Sequence, residues 1–272
     1  MTRFRPLFAA SALGLALAAT AGAQAADSLL RGFEPTGDWI LELDGAEVPK
    51  ARIYDSTRAQ AILVLTSELP SPVLVDRGGK NVSVLDLLKV AERTDGSIDL
   101  LADAVLEPSG GFEIRNKTEA HFHVADRAAA LVPRPWMLGP QTGATLLESN
   151  PGYRWRAKRY EPEAAAFGRL RSEKRNVRVL TFFGSWCPHC KEHVPYLLKV
   201  EQRLAGARIR FDYHGLPSGG FSSDPEAAKY KIDGVPTAIV FVDGKELGRV
   251  PARAWSSPEV AIDLILHGPG GR

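Results

Sequence analysis

The sequence predicts an α/β chain of the α+β kind: a mostly β region followed by a domain in which strands and helices alternate. Three observations predict it. Between residues 37 and 132, short apolar runs are split by turn signals. Between 177 and 266, apolar runs of strand length alternate with segments of helical period. Pro133, Pro135 and Pro140, with Gly139, mark the boundary, because helix and strand both tolerate such a cluster poorly.

The N-terminus reads as a targeting segment. Arg3 and Arg5 supply a positive start, residues 7–19 are apolar and uncharged, and Ala23-Gln24-Ala25 is a small-x-small cleavage pattern. A signal peptide over 1–25 is expected, with an uncleaved anchor as the alternative. The apolar run is short for a spanning helix, so no stable membrane span is expected after cleavage. Export to an oxidising compartment follows, and a composition rich in Ala, Arg and Gly points to a bacterial periplasm. About 245 residues of the 272 then remain, enough for one large domain or two ordinary ones. The 34 basic and 32 acidic residues fall to near balance once Arg3 and Arg5 are removed, which leaves no basic excess to argue for a nucleic-acid partner.

Residues 26–140 are read as the mostly β domain, its role open. A strand over 39–43 runs into Asp44-Gly45, a compact apolar run covers 61–66, and another at 73–75 precedes Asp76-Arg77-Gly78-Gly79. Pro108-Ser109-Gly110-Gly111 suggests a hairpin between 98–106 and 112–115. Ser83 and Asp86 fit either the cap of a short helix through Val90 or a strand. His121-Phe122-His123-Val124 places both histidines on one strand face and the apolar pair on the other. Two histidines so spaced can bind a metal, but no third ligand accompanies them, so a polar strand face is the plainer reading. Trp136 and Met137 are expected to pack between the domains.

A helical linker is expected over 141–160. Helical patterns cover 142–158 and 161–174, the second with Pro162 in its first turn. Arg171, Lys174, Arg175 and Arg178 read as a solvated helix end. The domain over 161–268 continues with a strand at 177–183, a helix at 188–204 ended by Gly206, and a strand at 208–213. A short helix at 224–230 opens on Pro225, strands at 237–242 and 246–250 are joined by Asp243-Gly244, and a last helix opens at Ser257-Pro258-Glu259. The order β-α-β-α-β-β-α, with a helix ahead of it, predicts a central sheet with helices on both faces. His214 falls in a predicted loop, and Lys191 and Lys199 on a solvated helix face. Residues 269–272 are expected to be loose.

The residues that carry chemistry are Cys187 and Cys190, the only two cysteines in the chain. They bracket Pro188 and His189 where a buried strand gives way to a helix. A Cys-x-x-Cys pair there is a redox dithiol, with its first sulfur at a helix N-terminus where unpaired N–H groups favour an anion. A structural staple is disfavoured, since a two-residue loop adds little closure entropy. His193, three residues beyond Cys190, raises a zinc or copper site as an alternative, which lacks further ligands at workable positions.

Four features together resemble the thioredoxin fold. Phe182-Phe183-Gly184-Ser185-Trp186-Cys187 is similar to the family's strand end, with an aromatic residue before the first cysteine. The other three are the Cys187/Cys190 pair, Pro195 five residues after Cys190, and Gly234-Val235-Pro236-Thr237. Pro195 matches the proline that kinks the active-site helix, and the last segment matches the one bearing the cis-proline. Tyr230-Lys231-Ile232-Asp233 and Phe241-Val242-Asp243-Gly244-Lys245 extend the match, which covers about two-fifths of the chain, residues 161–268.

The resemblance implies an attacking Cys187, a resolving Cys190, a shielding Trp186 and a cis Pro236. It also implies that Val235 pairs its backbone with an extended substrate segment, and that the cis-proline keeps metals off the sulfurs. Pro188 and His189 tune the redox poise, and the periplasmic disulfide oxidants carry this same Cys-Pro-His-Cys. Those proteins hold a helical insertion between dithiol and cis-proline. The short spacing here resembles thioredoxin itself or the TlpA-like exported thioredoxins, many of them reductants. Thr181 also departs from the family, which usually has a buried acid there to move the resolving thiol's proton. A water, Glu192 or another group would have to serve.

The expected function is an exported thiol-disulfide oxidoreductase acting on protein thiols and disulfides. It would need a partner that recycles the dithiol and no cofactor. A general exchanger is favoured over a dedicated oxidant, and the direction of electron flow stays open. Two alternatives accompany it: a binding or assembly protein with a redox-sensitive module, and a copper-handling chaperone on the same fold.

Overall fold

A β-branched, uncharged run bounded by turns settles into a strand when both its faces can be buried, and Ala61–Leu65, buried at all five positions, lies at the centre of the first domain. The computed structural model describes residues 31–268. Residues 1–25, read above as a signal peptide, and residues 269–272 lie outside them. Thirteen strands form the first domain's described part: β1 (Glu34–Pro35), β2 (Trp39–Leu43), β3 (Ala46–Glu47), β4 (Arg52–Ser56), β5 (Ala61–Leu65), β6 (Val73–Asp76), β7 (Asn81–Val84), β8 (Val90–Glu92), β9 (Ile98–Leu100), β10 (Glu107–Gly111), β11 (Glu113–Arg115), β12 (Glu119–Val124) and β13 (Arg127–Pro133).

They make a six-stranded sheet ordered β1-β4-β5-β6-β7-β10, a five-stranded sheet ordered β11-β12-β13-β2-β3, and the pair β8-β9. The two larger sheets sandwich one core, in which Ile62, Val64 and Val75 meet Leu41, Phe122 and Leu131. Because side chains alternate along a strand, Ala61, Leu63 and Leu65 point the other way, into a second core with Phe33, Ile98 and Leu100. Asp44 (φ 52°) and Gly45 (φ 81°) both take left-handed backbone, the turn that joins β2 to β3.

Two expectations fail here. Pro108-Ser109-Gly110-Gly111 is no hairpin turn, for it lies in strand β10, which pairs with β7. The register shifts between Pro108 and Gly110, and Gly110 has φ 125°. An edge strand with a bulge accepts the proline and glycines that a central strand would not. The flanking strands part company, β9 pairing with β8 and β11 with β12. Around Asp86 neither reading holds alone. Ser83 stays in β7, Asp86 caps a single 3-10 turn over Leu87–Lys89, and β8 follows from Val90.

The second domain contains β14 (Gly139–Gln141), α1 (Gly143–Ser149), α2 (Pro151–Arg159), α3 (Ala164–Ser172), β15 (Val177–Phe183), α4 (Pro188–Arg203), β16 (Ile209–Gly215), α5 (Pro225–Lys229), β17 (Thr237–Val242), β18 (Lys245–Arg249) and α6 (Pro258–His267). Its sheet is ordered β14-β16-β15-β17-β18, with β15 and β16 parallel and the other pairings antiparallel. Val179, Phe183 and Val240 face a core shared with α1, α2, α3, α4 and α6. Leu180, Phe182 and Ile239 face a smaller core that takes in α5. The sheet takes β14 from before residue 141, so the proline cluster feeds directly into it.

Local details also differ from expectation. Asn150, whose side chain accepts from the N–H groups of Gly152 and Tyr153, ends α1 and caps α2, splitting the expected single helix. Glu163 caps α3, so Pro162 lies outside the helix rather than in its first turn. The basic cluster is not simply solvated: Arg175 pairs with Glu173 at 2.5 Å and Arg178 with Asp212 at 2.6 Å. Ser257 makes no side-chain cap bond to α6. Among the described residues no helix is long and apolar enough to cross a membrane.

The domains meet along α2 and the start of α4. Asp38 pairs with Lys191 at 2.7 Å, Glu34 with Arg156 at 2.6 Å, and Asp95 with Arg159. Gly152 permits the close approach, since a Cβ there would stand 2.8 Å from the Pro35 carbonyl oxygen.

Candidate active site

Strand β15 ends at Phe183 and delivers the chain to the start of α4, where Cys187 is the N-cap residue and Pro188 the first helical position. A proline there lacks only an N–H that the helix would leave unpaired. The Cys187 N–H donates to the Gly184 carbonyl at 3.0 Å, and the Lys191 N–H donates to the Cys187 carbonyl at 3.0 Å. These bonds fix a tight turn before the first helical turn, and both sulfurs are carried on it. Pro195 lies inside α4 and is buried.

Both cysteines are free thiols, Cys187 6% and Cys190 0% exposed. The Cys187 thiol donates to the Val235 carbonyl oxygen at 3.6 Å, and the Gly184 N–H donates to the Cys190 sulfur at 3.4 Å. Burial pushes the Cys190 thiol far up, the Gly184 N–H opposes that rise, and the neighbouring Cys187 adds to it. The two sulfurs thus differ in kind. Cys187 sits at the rim against the Val235 loop, and Cys190 sits beneath it.

Val235 and Pro236 are half-buried, and the peptide bond between them is cis. Thr237 ties this loop together by donating to the Gly234 carbonyl at 2.8 Å. Trp186 donates its indole N–H to the Leu216 carbonyl at 2.8 Å, which holds the ring beside the dithiol. Gly184 gives it room, since a Cβ there would lie 2.5 Å from the ring. Phe221 stacks on Trp186 with centroids 6.5 Å apart, and Trp136 leans on it at 6.4 Å. Trp136 was expected between the domains and is instead 47% exposed. Met137 is the partly buried neighbour, its N–H donating to the Ser185 hydroxyl at 3.0 Å.

Pro188 and His189 are exposed. The His189 ring stacks on His193 one helical turn on, with centroids 6.0 Å apart, while the Cys187 thiol turns to Val235. Thr181 is fully buried on the α4 side of the sheet with its hydroxyl unpaired, and Glu192 lies exposed on α4.

Two bland readings need correction. His214 is no loop residue: it lies in β16, 8% exposed, and bonds Asp224 at 2.9 Å. Lys191 is not on an open helix face, because the first domain supplies Asp38 to it. The strand face of His121 and His123 is partly exposed, with His121 bonded to Glu119 at 3.0 Å. Among the described residues no group of three or more His, Cys, Asp or Glu side chains is placed to hold a metal ion.

The sequence did not point to Asp38 or Tyr153 as neighbours of the site. Both line a cleft of about 960 Å³ between the domains, together with Glu34, Arg156, Pro188 and Lys191. No local pattern marks them, because Tyr153 comes to the site through the packing of α2 against α4, and Asp38 through its pair with Lys191.

Comparison with known proteins agrees with this geometry. The family profile named Thioredoxin matches residues 161–255. The chain is 32% identical to thioredoxin of Chlamydia caviae over 75 residues, 26% of this chain and 65% of that one. It is 32% identical to thioredoxin of Staphylococcus aureus over 76 residues, 27% of this chain and 66% of that one. It is 31% identical to the protein disulfide isomerase-like 2-3 of rice over 83 residues, 29% of this chain and 17% of that one. The matches thus span less than two thirds of each of these relatives. Thioredoxin f2 of Chlamydomonas reinhardtii aligns at 18% identity with a TM-score of 0.28, over 38% of this chain and 90% of that one. Residues 161–255 thus form a thioredoxin domain, with a mostly β domain ahead of it.

Proposed function

We propose that this chain is an exported thiol-disulfide oxidoreductase that exchanges disulfides with protein substrates through Cys187 and Cys190. The observation that carries the reading is the pairing of unlike sulfurs: Cys187 at the helix cap against the Val235 carbonyl, Cys190 fully buried below it. The rim sulfur is the one a substrate disulfide can reach, and the buried one is held for the second step.

In that scheme the Cys187 thiolate attacks a substrate disulfide. One substrate sulfur leaves and takes a proton, and a mixed disulfide joins Cys187 to the other. The Cys190 sulfur then attacks Cys187, the second substrate sulfur leaves, and Cys187 and Cys190 are joined. Two electrons and two protons pass from the dithiol to the substrate. An extended substrate segment lies along the Val235–Pro236 loop, bonding to main chain, while Trp186 covers the flank. Pro188 and His189 set the poise of the couple. The reverse sequence runs when a partner has oxidised the dithiol, and a recycling partner belongs to the scheme in either direction. The basic N-terminus with its apolar run supports export to the periplasm. No cofactor takes part, and substrates are proteins rather than nucleic acid.

Equilibration of the full chain with glutathione tests the reading. A single Cys187–Cys190 disulfide is expected, in reversible balance with reduced and oxidised glutathione. A midpoint near that of thioredoxin, about −270 mV, marks a reductant or general exchanger, and one near −120 mV marks a dedicated oxidant. Failure to form the internal disulfide at any glutathione ratio rejects the proposal.

A further inference from the structure

The buried resolving thiol poses a chemical problem. Cys190 has to become an anion in order to attack Cys187, yet it lies in an apolar core. Strand β15, which leads to the dithiol, carries the buried Thr181, whose hydroxyl cannot act as a buried carboxylate would.

Two hydroxyls in this part of the domain lack a hydrogen-bond partner, those of Thr181 and Tyr153. The Tyr153 hydroxyl is buried without a hydrogen-bond partner, on a side chain only 1% exposed. Tyr153 packs in the same core cluster as Cys187 and Cys190, and lines the interdomain cleft beside Asp38, Pro188 and Lys191. A buried, unpaired hydroxyl lowers stability, and phenylalanine would fill the same space without that cost.

We propose, building on the reading of Cys187 and Cys190 as an exchange centre, that the Tyr153 hydroxyl is a positioning group for the resolving step, its O–H dipole turning to the Cys190 sulfur as that sulfur loses its proton. Burial lifts the pKa of Tyr153 far above that of a free phenol, and the nearby charges of Cys190, Asp38 and Cys187 lift it further. The phenol therefore stays neutral and serves as a donor, never as a base. The atoms balance without it. In the mixed disulfide the Cys190 S–H proton goes to solvent and the sulfur attacks Cys187. The bond from Cys187 to the substrate sulfur breaks, and the departing thiolate takes up a proton. The groups facing Tyr153 that shape its pH response are Cys190, Cys187, Asp38 and Arg156, and Lys191 holds Asp38.

The test uses the full chain and Tyr153→Phe, reduced and mixed with oxidised glutathione, then quenched in acid and weighed. With the exchange reading intact, Tyr153→Phe melts at or above the parent temperature and forms the Cys187–glutathione adduct at the parent rate. The adduct decays about tenfold more slowly at neutral pH, and the midpoint of its decay moves about one pH unit higher. Decay within twofold of the parent at every pH overturns the inference. A parent chain that never forms the internal disulfide overturns the underlying reading instead. A second readout needs no variant. In reduced protein carrying carbon-13 at the tyrosine ring carbon that bears the hydroxyl, the Tyr153 resonance is expected to titrate with Cys190 and to stay flat in the disulfide form. A resonance flat in both forms also overturns the inference.

Discussion

Glu173→Gln is expected to remove one distinct part of the acid sensitivity of the thioredoxin domain. Glu173 closes α3 and is 9% exposed. Its carboxylate accepts from the backbone N–H groups of Lys174 at 2.8 Å and Arg175 at 2.9 Å, and from Arg175 Nε at 3.0 Å and Nη2 at 2.5 Å. His267, at the end of α6, lies 3.2 Å away. The Arg175 guanidinium first, then the backbone N–H groups, hold its carboxyl down from 4.5 to about 2. A folded-state value below the unfolded one contributes stability above the unfolded value, and that contribution fades as pH falls through the folded value.

The difference of about 2.5 units, at 1.36 kcal/mol each, is about 3 kcal/mol. The parent should therefore exceed Glu173→Gln by up to about 3 kcal/mol at pH 7, and the gap should close between about pH 4.5 and pH 2. Urea unfolding followed by tryptophan fluorescence at pH 7 and pH 2.5 measures it, Trp255 being buried in the same core. A gap equally large at pH 2.5, or one under about 0.5 kcal/mol at pH 7, refutes the reasoning.

Two further outcomes follow from the packing. Thr181→Val replaces a fully buried, unpaired hydroxyl with a methyl of the same shape, and should raise stability by about 1 kcal/mol. A loss on denaturation would mean the hydroxyl has a partner. Lys191→Ala removes a half-exposed pair with Asp38, worth at most about 1 kcal/mol, so global stability should barely move. Amide exchange in β1 and β2 should quicken as the domain contact loosens, and unchanged exchange there would show that the other bridges suffice.

The thioredoxin domain was legible because its signals are local. Residues 177–183 and 237–242 are apolar runs bounded by charge and turns, and both became strands with those bounds. Asp243 and Gly244 take the left-handed backbone their turn requires. The β sandwich was less legible, because which strands pair depends on contacts between distant segments. Glu107–Gly111 shows this most plainly, since a sequence rich in turn residues serves as a bulged edge strand. At the site, the Cys187-x-x-Cys190 spacing and the Val235-Pro236 loop could be read directly. Asp38 and Tyr153 could not, since they approach from another domain and another helix.

Insulin reduction by the full chain, with and without Cys187→Ser, tests the central claim most directly. The account predicts catalysed precipitation of insulin chains in the presence of dithiothreitol, abolished by Cys187→Ser. Cys190→Ser is expected to stop turnover and trap a covalent adduct at Cys187. Insulin reduction that survives Cys187→Ser would contradict the assignment of this dithiol as the centre of exchange.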